Sequence, residues 1–154
     1  MTLSRKSTRT STDGNNGSVK GLRGLAGIRV MAVDDEEDAL GLMRVVLEAA
    51  GAEVFAIASA SDALKRLADL RPDVIVVDLG MPQIDGFEFI ERIRSSGDAH
   101  IRDIPAAALT AFARSEDRTK ALERGFEMHL SKPVEPGELV AAIATLVRRR
   151  ARGL

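Results

Sequence analysis

Cysteine is absent from the 154 residues, which excludes a disulfide framework, a thiolate metal site and a thiol nucleophile. Tryptophan and tyrosine are absent too, and five phenylalanines are the whole aromatic complement, so a core has to be built from Val, Ile, Leu and Ala. No apolar run approaches the ~20 residues that span a bilayer. The start lacks the apolar stretch of a secretory signal peptide, and the expectation is a cytoplasmic protein without a membrane partner. Charge is nearly balanced overall, at −1, but unevenly spread. Residues 1–27 carry a net of +4, residues 148–154 hold four Arg and no acid, and the stretch 28–147 therefore carries −9. An acidic body between basic ends repels phosphates and argues against direct nucleic-acid binding.

What is present is organised around Val74-Ile75-Val76-Val77-Asp78-Leu79-Gly80-Met81-Pro82. Four β-branched residues in a row predict a strand buried on both faces, as at the centre of a parallel sheet. Gly80 and Pro82 stop that strand just after it delivers Asp78. A carboxylate there lies in the crevice where open α/β sheets hold ligands. Taken alone, Asp78 reads equally well as a cap of the following turn. The other stretches decide between the two.

In chain order, residues 1–27 are rich in Ser, Thr, Gly, Asn and Arg without apolar periodicity, and a disordered basic leader is expected. Ile28 to Val33 predicts a strand running into Asp34-Asp35-Glu36-Glu37-Asp38. A helix follows with Leu40, Met43, Leu47 and Ala50 on one face, stopped by Gly51. Val54 to Ala58 reads as a second strand. Ser59 or Ser61 caps a second helix with Leu64, Leu67 and Ala68 inward, ended by Arg71-Pro72. After the central third strand, Asp85-Gly86 opens a third helix carrying Phe89, Ile90 and Ile93, and residues 95–103 read as a polar loop. Ile104 to Leu109 is a fourth strand, terminated by Thr110. The fourth helix, Ser115 to about Arg124, has only Ala121 and Leu122 as apolar content, a thinly packed face. Met128-His129-Leu130 is a short fifth strand ending at Ser131-Lys132-Pro133. The last helix, from about Pro136 to Arg149, turns Leu139, Ile143, Leu146 and Val147 inward, and its basic end complements the helix dipole. Strand alternating with helix five times predicts one α/β domain over 28–147, doubly wound, with a five-stranded parallel sheet, right-handed crossovers and helices on both faces. Residues 148–154 form a basic tail.

In such a sheet all carboxyl ends share one edge. Asp34 and Asp35, Asp78, Thr110 and Lys132 therefore converge, the order 2-1-3-4-5 setting the first and third strands side by side. Three crowded carboxylates need a cation, and with only oxygen ligands on offer a hard ion such as Mg²⁺ fits. Lys132 supplies a point charge and Thr110 a hydroxyl, both suited to a phosphoryl oxygen. The combination is that of phosphoryl transfer to a carboxylate.

Four segments, M-A-V-D-D-E-E-D at 31–38, V-V-D-L-G-M-P-Q-I-D-G at 76–86, A-L-T-A at 108–111 and L-S-K-P-V at 130–134, resemble the receiver domain of two-component response regulators, a flavodoxin-like (βα)5 fold. The resemblance implies that Asp78 accepts a phosphoryl group from a phosphohistidine on a sensor histidine kinase or histidine phosphotransfer protein. It implies Mg²⁺ bound by Asp35, Asp78 and the backbone carbonyl of Gly80, with Asp34 acting largely through water. Lys132 would pair with the phosphoryl group, and the Lys132-Pro133 bond would be cis. Thr110 would switch together with the residue three before the lysine, usually Tyr or Phe and here His129. The switched face would be the fourth helix, fifth strand and last helix, meeting a downstream protein or supporting a phosphorylation-dependent dimer. The stretch 125–139 is closer in flavour to receivers of hybrid histidine kinases than to those fused to DNA-binding domains.

Three rivals fit less well. A phosphatase of the haloacid dehalogenase type wants a second Asp two residues after the first, where Gly80 stands. A flavin-binding relative wants a hydroxyl-rich phosphate loop and aromatic walls, where this chain has Asp34 to Asp38 and neither Trp nor Tyr. A receiver used as a phosphorylation-independent interaction module has no need of the complete set of acceptor-site residues found here. A kinase reading fails as well, since His100 has no ATP-binding glycine motif beside it.

Overall fold

Residues 24–81, 84–111 and 115–151 are described by a computed structural model. Five short strands form one parallel sheet: β1 (Arg29–Val33), β2 (Glu53–Ile57), β3 (Val74–Asp78), β4 (Ala106–Thr110) and β5 (Met128–Ser131), in the order β2-β1-β3-β4-β5. The register pairs Val33 with Val77 across β1 and β3, Asp78 with Leu109 across β3 and β4, and Thr110 with Ser131 across β4 and β5. Among the described residues, six helices cover the sheet: α1 (Glu37–Ala49), α2 (Ala60–Leu70), α3 (Gly86–Arg94), the single turn α4 (Ala99–Arg102), α5 (Ser115–Arg124) and α6 (Pro136–Ala151).

Alternation along the strands divides the core in two. Val30, Ala32, Val74, Val76, Ala107 and Leu109 face α1 and α6. Met31, Val33, Ile75, Val77, Ala106 and Ala108 face α2, α3 and the single buried Ala121 of α5. All five residues of β3 and of β4 are buried. Each buried Val or Ile adds about 1.5–3 kcal/mol, so the central strands hold the sheet edge rigidly. By contrast α5 is tied by Ala121, by Lys120 and Arg124 over the Phe87 ring, and by the Arg124–Glu91 ion pair, while Leu122 stays exposed.

Three details differ from the sequence reading. Leu25, assigned to the leader, is fully buried in the α1–α6 core, and its backbone N–H donates to Ala50. Gly51, at φ +101°, makes room for this turn, because a Cβ there would stand 3.0 Å from the Ala26 backbone. Helix α2 starts at Ala60, capped by the Ser59 hydroxyl, which rotates its inner face onto Ala60, Ala63 and Leu67 and leaves Ala68 exposed. Residues 99–102 of the supposed loop form α4, capped by Asp98. Residues 1–23 of the leader, Pro82 of the turn and 152–154 of the basic tail lie outside the described residues. Among those described, no helix is long and apolar enough to cross a membrane.

Candidate functional site

The carboxyl edge of the sheet gathers the acids. Asp34 directly follows β1; its N–H donates to Ile57 and its Oδ1 accepts from the Glu36 N–H at 2.9 Å, which fixes the carboxylate. Asp34 is fully buried, Asp78 nearly so, and Asp35 is exposed. One carboxylate oxygen from each lies within 4.8 Å of the others. Lys132 comes from the end of β5, its backbone N–H donating to Thr110 at 2.8 Å, and the bond to Pro133 is cis. Its ammonium bridges Asp34 Oδ2 at 3.0 Å and Asp78 Oδ1 at 3.3 Å. Partial burial pulls the lysine's pKa down, but the hydrogen bond to Asp34 and the charge of Asp78 outweigh it, and the pKa stands above its ordinary value. Lys132 is therefore charged at physiological pH.

Three carboxylates and one ammonium leave two negative charges. Oxygen ligands around an octahedral Mg²⁺ with bonds near 2.0–2.1 Å stand roughly 3 to 4 Å apart. An all-oxygen set already within 4.8 Å fits that ion with small side-chain movements. The residues that can hold it are Asp34, Asp35 and Asp78, with Gly80 two residues beyond Asp78.

Asp78, Gly80, Thr110 and Lys132 line one cavity of about 410 Å³, with Phe87 and Asp117 on its far wall. Gly86 packs directly against the end of β3. A Cβ there would stand 2.9 Å from the Asp78 carbonyl oxygen and 2.8 Å from Leu79 Cδ2, so only glycine lets the start of α3 seat against the strand end. Thr110 is buried on the same sheet face as Ala108, the face α5 covers. His129 pairs with Ala108 in register and shares that face. Its Nε2 is buried without a hydrogen-bond partner among the described residues. Burial, then the charge of Arg118, lowers its pKa. A group whose folded pKa lies below the unfolded one supports stability above the unfolded value and loses that support as pH falls. His129→Phe is accordingly expected to narrow the drop in melting temperature between about pH 7.5 and pH 5.5. Equal drops in both proteins would show that His129 does not titrate on unfolding.

Asp34, Asp35, Asp78, Gly80, Thr110, Lys132 and His129 thus lie at this edge or beside it. Missed were Gly86 and Phe87, whose contacts are long-range, and a second feature next to the acids. Between α1 and the start of α6 runs an apolar groove of about 360 Å³, where Leu42, Met43, Val46, Pro133 and Val134 meet Asp34 and Lys132. Leu42 and Val45 are 61% and 65% exposed. Leu42, a large apolar residue off the buried stripe of α1, was a visible signal for that groove.

Comparison with known proteins bears directly on this arrangement. The family model described as the response regulator receiver domain matches residues 30–144. An uncharacterised protein of Leptolyngbya boryana is 43% identical over 119 residues, covering 77% of this chain and 89% of that one. The transcriptional regulatory protein PrrA of Mycobacterium leprae is 35% identical over 127 residues, 82% of this chain and 53% of the regulator, so the chain spans about half the length of that relative. Among solved structures, a putative response regulator from Chloroflexus aurantiacus superposes with a TM-score of 0.75 at 30% identity, covering 79% of this chain and 98% of that one. The chemotaxis response regulator CheY4 of Vibrio cholerae gives 0.72 at 29%, covering 77% and 98%. With its five-stranded sheet in the same order and its acids and lysine gathered at one edge, this chain belongs to the response regulator receiver domain family.

Proposed function

We propose that Asp78 takes a phosphoryl group from a phosphohistidine of a sensor histidine kinase or a histidine phosphotransfer protein. An Asp78 oxygen forms a bond to phosphorus, the phosphorus–nitrogen bond breaks, and the electron pair returns to the leaving imidazole, which picks up a proton. Later attack by water on the acyl phosphate returns the carboxylate and inorganic phosphate. The protein thus serves as a signalling domain that performs only its own phosphorylation and dephosphorylation. The observation that carries the reading is the Lys132 ammonium held between Asp34 and Asp78 at the wall of a cavity shared with Thr110.

Asp35, Asp78 and the Gly80 carbonyl, with Asp34 behind them, would hold a Mg²⁺ ion, which would supply neutralisation of charge on the phosphoryl oxygens. Lys132 moves from Asp34 to the phosphoryl oxygen, a short swing for a flexible stem. The Thr110 hydroxyl donates to another of those oxygens, and His129 follows on the same sheet face. The face of α5, β5 and α6 then changes for a downstream protein or a second copy of the chain. A cytoplasmic setting, where kinase domains meet such receivers, goes with this reading.

The donor's helix is proposed to lie in the α1–α6 groove, whose apolar floor runs up to Asp34 and Lys132. Leu42→Asp is expected to slow transfer from a phosphohistidine protein severalfold or more, because an exposed apolar anchor is lost from the groove and a charge takes its place. Phosphorylation by a small acyl phosphate should stay within about twofold. Equal slowing with both donors would remove the groove from the account. Incorporation from neither donor into the unsubstituted protein would remove the receiver activity itself.

A further inference from the structure

A second polar cavity, of about 520 Å³, lies at the opposite edge of the sheet, where β4 and β5 begin. It is bounded by the end of α3, by α4 and by the last turns of α6, and four arginines line it: Arg94, Arg102, Arg149 and Arg150. Only two acids, Asp103 and Glu127, accompany them.

Arg94 is committed to the fold. Its Nε donates to the Gly125 carbonyl, its Nη1 to those of Arg102 and Ile104, and its Nη2 to both oxygens of Glu127. Glu127 also accepts from the Ala106 N–H at 2.8 Å. This pair is a closed floor with no valence left for a ligand. The remaining acid, Asp103, touches Arg102 at 3.4 Å, both side chains being about half exposed. Arg149 has no partner among the described residues, and Arg150 contacts only His100, Nη2 to Nδ1 at 3.4 Å.

Arg150 Nη1 is buried and unpartnered among the described residues, and so is His100 Nε2. A guanidinium stays charged at any physiological pH. When the imidazole is neutral and its Nδ1 accepts from Arg150, the proton sits on Nε2. Both orphan atoms are then donors, and buried donors without an acceptor are costly. The dipole of α6 accounts for positive charge at its end. It accounts neither for a cavity beneath that end nor for the missing acceptor.

We propose that this cavity binds a small anion bearing more than one phosphate group, with Arg149, Arg150 and Arg102 as its ligands. A volume of this size suits a small molecule and exceeds what one phosphate fills. Arginine forks match phosphate oxygens in pairs. A nucleic acid is disfavoured because the surrounding body is strongly acidic. The site is separate from the acceptor edge and does not depend on phosphorylation there.

The test is calorimetric titration of the full chain with inorganic pyrophosphate in metal-free buffer, against sodium chloride at matched ionic strength. Saturable binding is expected, unchanged in Asp78→Asn. It should weaken about tenfold or more in Arg150→Gln and severalfold in Arg149→Gln, because a charged hydrogen-bond donor is lost in each. Arg149 is exposed, so its variant reads the site even where Arg150→Gln disturbs the helix end. No saturable heat in the unsubstituted protein, equal affinity in both arginine variants, or displacement of pyrophosphate by a short single-stranded oligonucleotide that binds more tightly would each overturn the proposal.

Discussion

Asp35→Asn is expected to raise the melting temperature of the metal-free protein by about 2–4 °C while weakening Mg²⁺ binding at least about tenfold. Both effects come from one feature, three carboxylate oxygens within 4.8 Å of each other. Like charges at that spacing repel by about 1 kcal/mol even at the dielectric of water. Lys132 relieves Asp34 and Asp78 directly but makes no contact with Asp35. The exposed Asp35 is therefore the acid whose charge is least compensated, and its removal is expected to stabilise the fold while taking away a proposed metal ligand. Asparagine keeps the volume and one acceptor oxygen, so packing is not the variable. Opposite signs for the two changes are the diagnostic. A loss of Mg²⁺ affinity without stabilisation would mean that solvent already screens the third charge. If neither quantity moves, Asp35 is no ligand.

Much of this site is legible in the sequence because a parallel sheet converts order along the chain into position on an edge. Asp34, Asp78 and Thr110 each follow or end a β-branched or alanine-rich run, and such runs leave little choice but a buried strand. Lys132 follows the short run Met128–Ser131, whose place after the fourth helix marks it as the fifth strand. What escaped has a common physical character. Leu25 is one apolar residue among polar ones, with no periodicity to betray it, and only the register of α1 against β1 creates its pocket. The single turn α4 is too short to carry a helical pattern. Of the two serines that could cap α2, Ser59 is the one used, and the buried stripe runs through Ala63 and not Ala68, a choice between two small residues that apolar spacing alone does not make. Gly86 has a role only because α3 returns to touch the Asp78 carbonyl. The bridge from Lys132 to Asp34 as well as Asp78 is likewise a matter of distance and not of motif.

Thr110→Val is expected to leave phosphorylation of Asp78 intact and to remove more than about half of the change in amide exchange that phosphorylation produces over residues 115–130. In the unsubstituted protein, that change should far exceed any in α1. The physical basis is unequal anchoring. Helix α1 buries Leu40, Met43 and Leu47, whereas α5 buries Ala121 and otherwise relies on cations over Phe87 and an exposed ion pair. Surface ion pairs contribute about 0–1 kcal/mol, so the arrangements open to α5 differ by little. A phosphoryl group adds roughly two negative charges at Asp78. That charge is a sufficient pull on a hydroxyl lining the same cavity. Valine removes the hydroxyl and keeps the branched shape, which separates the donor from the packing. His129, on the shared face, is the residue expected to carry the movement towards α6. An exchange pattern over 115–130 that is unchanged in fully phosphorylated protein, or one that survives in Thr110→Val, would take the switch out of the account.

Mass measurement identifies the residue that bears the phosphoryl group. The chain and its Asp78→Asn variant are incubated with Mg²⁺ and a small acyl phosphate, and intact mass is followed by fragmentation at acid pH, where an acyl phosphate persists. A gain of one phosphoryl group is expected in the unsubstituted protein, confined to the fragment with Asp78, and none in the variant. A full gain in Asp78→Asn, or a phosphoryl group mapped to another residue in the unsubstituted protein, would contradict Asp78 as the acceptor.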